Sequence, residues 1–170
     1  MRTAILPLAL AALATPALSD AHVGARVTGD IMNRDGAIIG SISAFETASG
    51  IVRVSIQATG ISPGAHGIHF HETGECTGDF SSAGGHIAGD ADHGLVEGGP
   101  HPGDMPNALV QEDGVLAVEV FNERIDVEEH LRDEDGAAFI IHSGADDYTS
   151  QPSGDAGERV GCAVLNLEPQ

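Results

Sequence analysis

The chain has 170 residues, enough for one domain with a substantial core, and it is rich in glycine, with 23, and poor in aromatic residues, at 4 %. Its formal net charge is -19, and its 7 basic residues are all arginine. No cationic surface is available to neutralise phosphates, which excludes nucleic acid as a partner, and an anionic substrate would have to be attracted by local rather than net charge.

Residues 1–19 read as a secretory signal: Arg2, an apolar run from Ala4 to Ala14, then small residues at Ala17 and Ser19 suited to a signal peptidase. The run is too short to span a membrane. Cleavage after Ser19 or after Ala21 both fit, delivering residues 20–170 or 22–170 as an exported domain, periplasmic in a bacterium and free of the membrane. A cut after Ser19 leaves Asp20-Ala21-His22 at the start, where an amine, two amide nitrogens and an imidazole make a square-planar Cu(II) or Ni(II) site. With only Cys76 and Cys162 present, a single disulfide is expected in an oxidising compartment.

The mature part alternates short apolar runs with turns. Val23 to Thr28 begins the first strand, Asn33-Arg34-Asp35-Gly36 turns, and Ala37 to Phe45 forms the second. Ile51 to Ala58 alternates cleanly, with Val52, Val54 and Ile56 on one face. Ser62-Pro63-Gly64 turns the chain into Gly67-Ile68-His69-Phe70-His71-Glu72. On a strand both imidazoles project to one face while Ile68 and Phe70 take the other.

From Glu72 to about Asn107 no helix or strand period is visible, and a loop of that length needs something to order it, such as a bound metal. Ala108 to Gln111, Val115 to Asn122, Ala137 to His142 and Arg159 to Leu167 read as further strands. A helical turn is expected near Glu128 to Leu131, and a second irregular loop runs from Ser143 to Glu158. Seven or eight short strands with tight turns and two long loops predict an all-β antiparallel sandwich or Greek-key barrel.

Of 9 histidines, His69, His71, His86, His93, His101 and His142 lie on the histidine strand, on the long loop or at one strand end, and Asp104 follows His101 by three residues. Imidazole with carboxylate suits zinc, whereas imidazoles alone suit copper. If Phe139 and Ile141 face the core, His142 lies outside the barrel wall beside His69 and His71, under the two loops. His66 and His130 fall outside this pattern and are expected to be solvated.

These residues resemble a known family. Gly67-Ile68-His69-Phe70-His71-Glu72-Thr73-Gly74 is similar to the first signature of the bacterial exported copper,zinc superoxide dismutases, and Gly154-Asp155-Ala156-Gly157-Glu158-Arg159-Val160-Gly161-Cys162 to the second. The resemblance covers residues 23–168. It implies an eight-stranded Greek-key barrel with copper ligands His69, His71, His86 and His142, and zinc ligands His86, His93, His101 and Asp104, so that His86 bridges the two metals. It further implies that Asp146 hydrogen-bonds one ligand histidine of each metal, that Cys76 and Cys162 form the family disulfide, and that Arg159 binds the substrate anion. The chain departs from the family in two intervals, His86 to His93 and His93 to His101, each one residue shorter than usual. It also departs in its loop 143–158, which lacks a basic residue, and in Leu165, where isoleucine or valine is usual.

The activity so implied is dismutation of superoxide to dioxygen and hydrogen peroxide, with copper cycling between Cu(II) and Cu(I) and zinc structural. The competing reading is a periplasmic copper- or zinc-binding protein without turnover. Monomer and homodimer are both compatible with the sequence.

Overall fold

The computed structural model describes residues 24–167. The expected signal sequence and the Asp20-Ala21-His22 copper site lie outside the described residues. Ten strands run in the order β1 (Arg26–Asn33), β2 (Ile38–Glu46), β3 (Val52–Ala58), β4 (Gly64–His66), β5 (Ile68–His71), β6 (Ala108–Val110), β7 (Leu116–Asn122), β8 (Ala138–His142), β9 (Arg159–Val164) and β10 (Asn166–Leu167). The α-helix among the described residues is the short α1 (Val127–His130), capped by the Asp126 side chain, which accepts from the Glu129 amide.

Eight strands form one antiparallel sheet in the order β5-β8-β9-β1-β2-β3-β7, with β10 also pairing β1, and β4 pairs β6 separately. The all-β expectation therefore holds. Strand β6 falls within the strand expected at Ala108 to Gln111, whereas β4 was not visible in the sequence because a three-residue strand is too short to show a period.

Alternation explains most of the core. In β3, Val52, Val54, Ile56 and Ala58 are buried while Arg53 and Gln57 point to solvent. Strands β5 and β8 differ, being buried on both faces. Their inner residues Ile68, Phe70, Phe139 and Ile141 join the main core, where the Phe70 and Phe139 rings meet edge to face at 6.2 Å. On the outer side, Ala138 and Ile140 pack with Phe80, Ala83 and Cys162 beneath the long loop. Removing a ring such as Phe70 would cost about 3–5 kcal/mol.

One edge of β5 pairs with β8, and the other is completed by the long loop. Phe70 N donates to Gly103 O, Ile87 N to Phe70 O and Glu72 N to Gly85 O, at 2.9, 2.9 and 3.0 Å. These bonds place His86 beside His71 and Asp104 beside His69 as isolated bridges. The Cys76–Cys162 disulfide fastens the same loop to β9 across a sequence separation of 86.

Candidate metal centre

His69 and His71 stand on the outer face of β5, and His142 ends β8, where a register shift follows Ile141. The six candidate histidines are at most 6 % exposed, roofed by the two loops as expected. Two glycines let the loops close. A Cβ on Gly94 would come within 2.1 Å of the Tyr148 carbonyl oxygen, and one on Gly154 within 1.9 Å of Asp146 Oδ1 and 2.7 Å of His93 Nε2. Both glycines have positive φ, so any side chain there would also be strained.

The outer hydrogen bonds decide which nitrogen each ring leaves free. A carbonyl or carboxylate oxygen only accepts, so the imidazole nitrogen facing it carries the proton and the other keeps its lone pair. His71 Nδ1 donates to Gly84 O at 3.0 Å and His142 Nδ1 to Gly157 O at 3.2 Å. His69 donates through the opposite nitrogen, Nε2, to Asp146 Oδ2 at 2.8 Å. His86 Nδ1 faces Asp104 Oδ1 at 2.9 Å. The atoms left buried and without a partner are His69 Nδ1, His71 Nε2, His86 Nε2 and His142 Nε2.

Those four residues form a group whose ligand atoms lie within 4.8 Å of one another and could hold a metal ion. A second such group joins His86, His93, His101 and Asp104. His86 belongs to both. The shortened intervals do not draw the second group apart. His93 Nδ1 is 3.1 Å from the Asp104 carboxylate, and His101 Nδ1 is 3.3 Å away, though not aligned for a hydrogen bond.

Electrostatics favour neutral imidazoles. Burial pushes His69 down to about 4, against the opposing hydrogen bond to Asp146. Burial likewise lowers His142 to about 3, helped by the neighbouring His69, and lowers His71 to about 2, helped by His86. For Asp104, burial works towards a higher value, but the bonds from His86 and the Gly94 amide outweigh it and hold the carboxyl well below the usual carboxylate range. Asp146 is held low in the same way, by His69, the Tyr148 amide and His93 overcoming burial.

Asp146 links the two groups, because its other oxygen, Oδ1, accepts from His93 Nε2 at 3.1 Å. Several residues that support the centre were not legible in the sequence. Asn107 grips the Asp146 backbone at both ends, accepting from its N and donating to its O at 2.8 Å each. Gln151 does the same for His93, at 2.9 Å each. An amide in a loop gives no signal of such a clamp.

His66 corrects the expectation of a solvated side chain. It is 2 % exposed, and its Nδ1 meets the His142 carbonyl at 2.6 Å, tying β4 to the end of β8. Its position two residues before Ile68 was the available signal. His130 is half-buried, and its Nδ1 accepts from the Asp126 amide at 2.8 Å.

Arg159 begins β9, and its guanidinium donates to Phe80 O and Gly84 O, each at 2.6 Å. Both acceptors lie on the loop that the disulfide holds against β9. Burial lowers the arginine's pKa and nearby Asp79 raises it, but a guanidinium keeps its charge at neutral pH.

A model of the copper/zinc superoxide dismutases matches residues 38–165. The chain belongs to that family. Among its relatives, the Cu-Zn superoxide dismutase 2 of Aquifex aeolicus is 40 % identical over 144 residues, spanning 80 % of this chain and 84 % of the relative. The crystal structure of a superoxide-dismutase-like protein from Bacillus subtilis superposes with a TM-score of 0.77 at 36 % identity, covering 82 % of this chain and 97 % of that one. The Cu/Zn superoxide dismutase of Brucella abortus superposes with a TM-score of 0.70 at 25 % identity, covering 83 % and 99 %.

Proposed function

We propose that this chain is a copper- and zinc-dependent superoxide dismutase. In this reading His69, His71, His86 and His142 hold copper, while His86, His93, His101 and Asp104 hold zinc. The observation that carries the reading is the set of four buried, unpartnered nitrogens on four histidines, each with its opposite nitrogen committed elsewhere. Leaving such atoms unpaired is costly, whereas a metal ion satisfies all four at once. Three imidazoles and a carboxylate form the donor set of a closed zinc site.

Copper, when bound, supplies one-electron chemistry, oxidising one superoxide to dioxygen and reducing a second to hydrogen peroxide. The protein does the rest. Arg159 holds the anion by charge, with its guanidinium aimed by the Phe80 and Gly84 carbonyls. Asp146 orients His69 and His93 together. His86 Nε2 is the ring atom able to hold a proton destined for peroxide, while its Nδ1 stays anchored on the Asp104 side.

The alternative, a copper- or zinc-binding protein without turnover, has a counterpart in the Bacillus relative described only as dismutase-like. Dismutation measured per bound copper on metal-analysed protein separates the two. The dismutase reading expects activity proportional to copper content and lost in His86→Ala. Full activity in a copper-free preparation would refute it.

Export fits the same reading. A leader over residues 1–19 would carry the domain 20–170 to the periplasm, where the Cys76–Cys162 disulfide can persist. Among the described residues no helix is long and apolar enough to cross a membrane. Mass spectrometry of the secreted form tests the cleavage site, with a start at Asp20 or His22 expected.

A further inference from the structure

The chain must bring an anion to copper on a molecule of net charge -19, and the loop 143–158 beside the site carries Asp146, Asp147, Asp155 and Glu158 with no basic residue. Glu158 is the neighbour of Arg159 and is largely exposed, at 74 % of its side chain. Left alone, its carboxylate would offset the arginine on which the substrate depends.

A second arginine reaches this point from the neighbouring strand, since β1 pairs with β9 through Asn33 and Gly161. Arg34 sits in the turn between β1 and β2, and that turn is fixed by the Asn33 side chain, which accepts from the amides of Asp35 at 3.0 Å and Ala37 at 2.9 Å. From there Arg34 Nε donates to the Arg159 carbonyl at 2.8 Å, and Nη1 donates to Glu158 Oε2 at 3.1 Å. Other arginines are engaged elsewhere, Arg53 with Glu119, Arg132 with Glu128 and Arg124 with the Gly99 carbonyl. Two of the few cations in an acidic chain thus converge on one short stretch of backbone. Asp79 also lies within electrostatic reach of both Arg34 and Arg159, so two carboxylates stand against two guanidinium groups around this stretch.

We propose that Arg34 offsets the Glu158 carboxylate beside Arg159 and so keeps the entrance to the copper site attractive to superoxide. Arg34 is then a positioning and charge-balancing residue, supplied by the β1–β2 turn in place of a basic residue in the loop. The proposal rests on the dismutase reading for its substrate, but its anion-binding part can be measured without turnover. An exposed ion pair contributes little to stability, so its role is in the field rather than in holding the fold.

The test compares the metal-loaded wild type with Arg34→Gln, Glu158→Gln and the double variant. Two quantities are read: kcat/KM for superoxide by pulse radiolysis, and azide affinity by optical titration of bound copper. A unit charge about 10 Å from the reacting anion acts through water with roughly a twofold effect. The Debye length is about 30 Å at 10 mM salt and about 3 Å at 1 M, so the effect should appear at the first and vanish at the second. Arg34→Gln is expected to lie about twofold below wild type in both quantities at low salt, Glu158→Gln about twofold above, and the double variant back at the wild-type level. If the double variant stays as low as Arg34→Gln, or the deficit survives 1 M salt, Arg34 is a structural tie and the proposal is overturned. If the wild type binds copper and azide without turning over superoxide, the dismutase reading fails, while the azide series still decides the role of Arg34.

Discussion

His71 and Arg159 share one acceptor: the Gly84 carbonyl oxygen takes Nδ1 of the histidine at 3.0 Å and Nη2 of the arginine at 2.6 Å. A single peptide group therefore sets both the orientation of a candidate copper ligand and the position of the charge proposed to bind the anion. Lysine at position 159 would keep the charge but cannot present a planar fork to the Phe80 and Gly84 carbonyls together. Arg159→Lys is expected to retain copper and lose part of kcat/KM, with Arg159→Ala losing about tenfold or more. Stopped-flow or pulse-radiolysis rates on copper-normalised samples check the order.

The disulfide holds this peptide group in place, since Cys76 lies on the loop carrying Phe80 and Gly84 and Cys162 lies on the strand that Arg159 begins. Replacing both cysteines by serine should lower stability by up to about 4–5 kcal/mol on the chain-entropy account. It should also lower kcat/KM more than copper content. Denaturant midpoints and metal analysis on the same preparations separate these effects, and an unchanged kcat/KM per copper would show that the loop holds Arg159 without the bond.

Gln151 grips the backbone of His93 and, besides that, donates to the Thr149 carbonyl, so its loss should be felt on one side of the centre. Gln151→Met, close in size but unable to make these bonds, is expected to weaken zinc binding about 10- to 100-fold, the usual effect of losing a group that orients a ligand. Copper affinity should stay near the wild-type value. Competition titrations with Co(II) as a spectroscopic substitute for zinc read the first, and equal losses at both metals would assign Gln151 a general packing role.

Acid should destabilise the metal-free protein well before its carboxylates titrate. An imidazole in the unfolded chain titrates near 6.5, whereas His69 and His142 in the fold are held down to about 4 and about 3. Between those values the unfolded chain binds more protons, so stability falls as the pH drops below about 6.5, by up to about 1.4 kcal/mol per pH unit for each such histidine. Asp104 and Asp146, held low in the fold, act in the same direction at lower pH, losing their contribution as the pH falls through their folded values. Urea midpoints of chelator-treated protein at pH 7, 6 and 5 should decline stepwise. A flat profile would contradict buried neutral imidazoles.

Much of this was legible from residue order. The alternation of Val52, Val54 and Ile56 announced β3, and the offset between His69–His71 and Ile68–Phe70 put the imidazoles outside the wall, where the structure has them. The pairing of Phe139 and Ile141 with the inner face likewise carried His142 to the right side of β8. What residue order concealed are the contacts made across long separations by groups with no pattern of their own. Asn107 and Gln151 act through ordinary amides, Arg34 sits in an ordinary turn, and His66 looks polar and dispensable until β4 and β8 meet around it. Such residues are fixed by tertiary geometry, which periodicity does not encode.

The loop bonds along β5 have a consequence for solubility. Without Gly85, Ile87 and Gly103, this strand would end the sheet with a row of open amides and carbonyls, and such an unpaired edge is a template for pairing with another chain. The segment that delivers His86 and Asp104 is also the cap on that edge. Any event that peels the loop away, whether loss of metal or opening of the cystine, therefore uncovers a sticky strand in the same motion that dismantles the candidate metal centre.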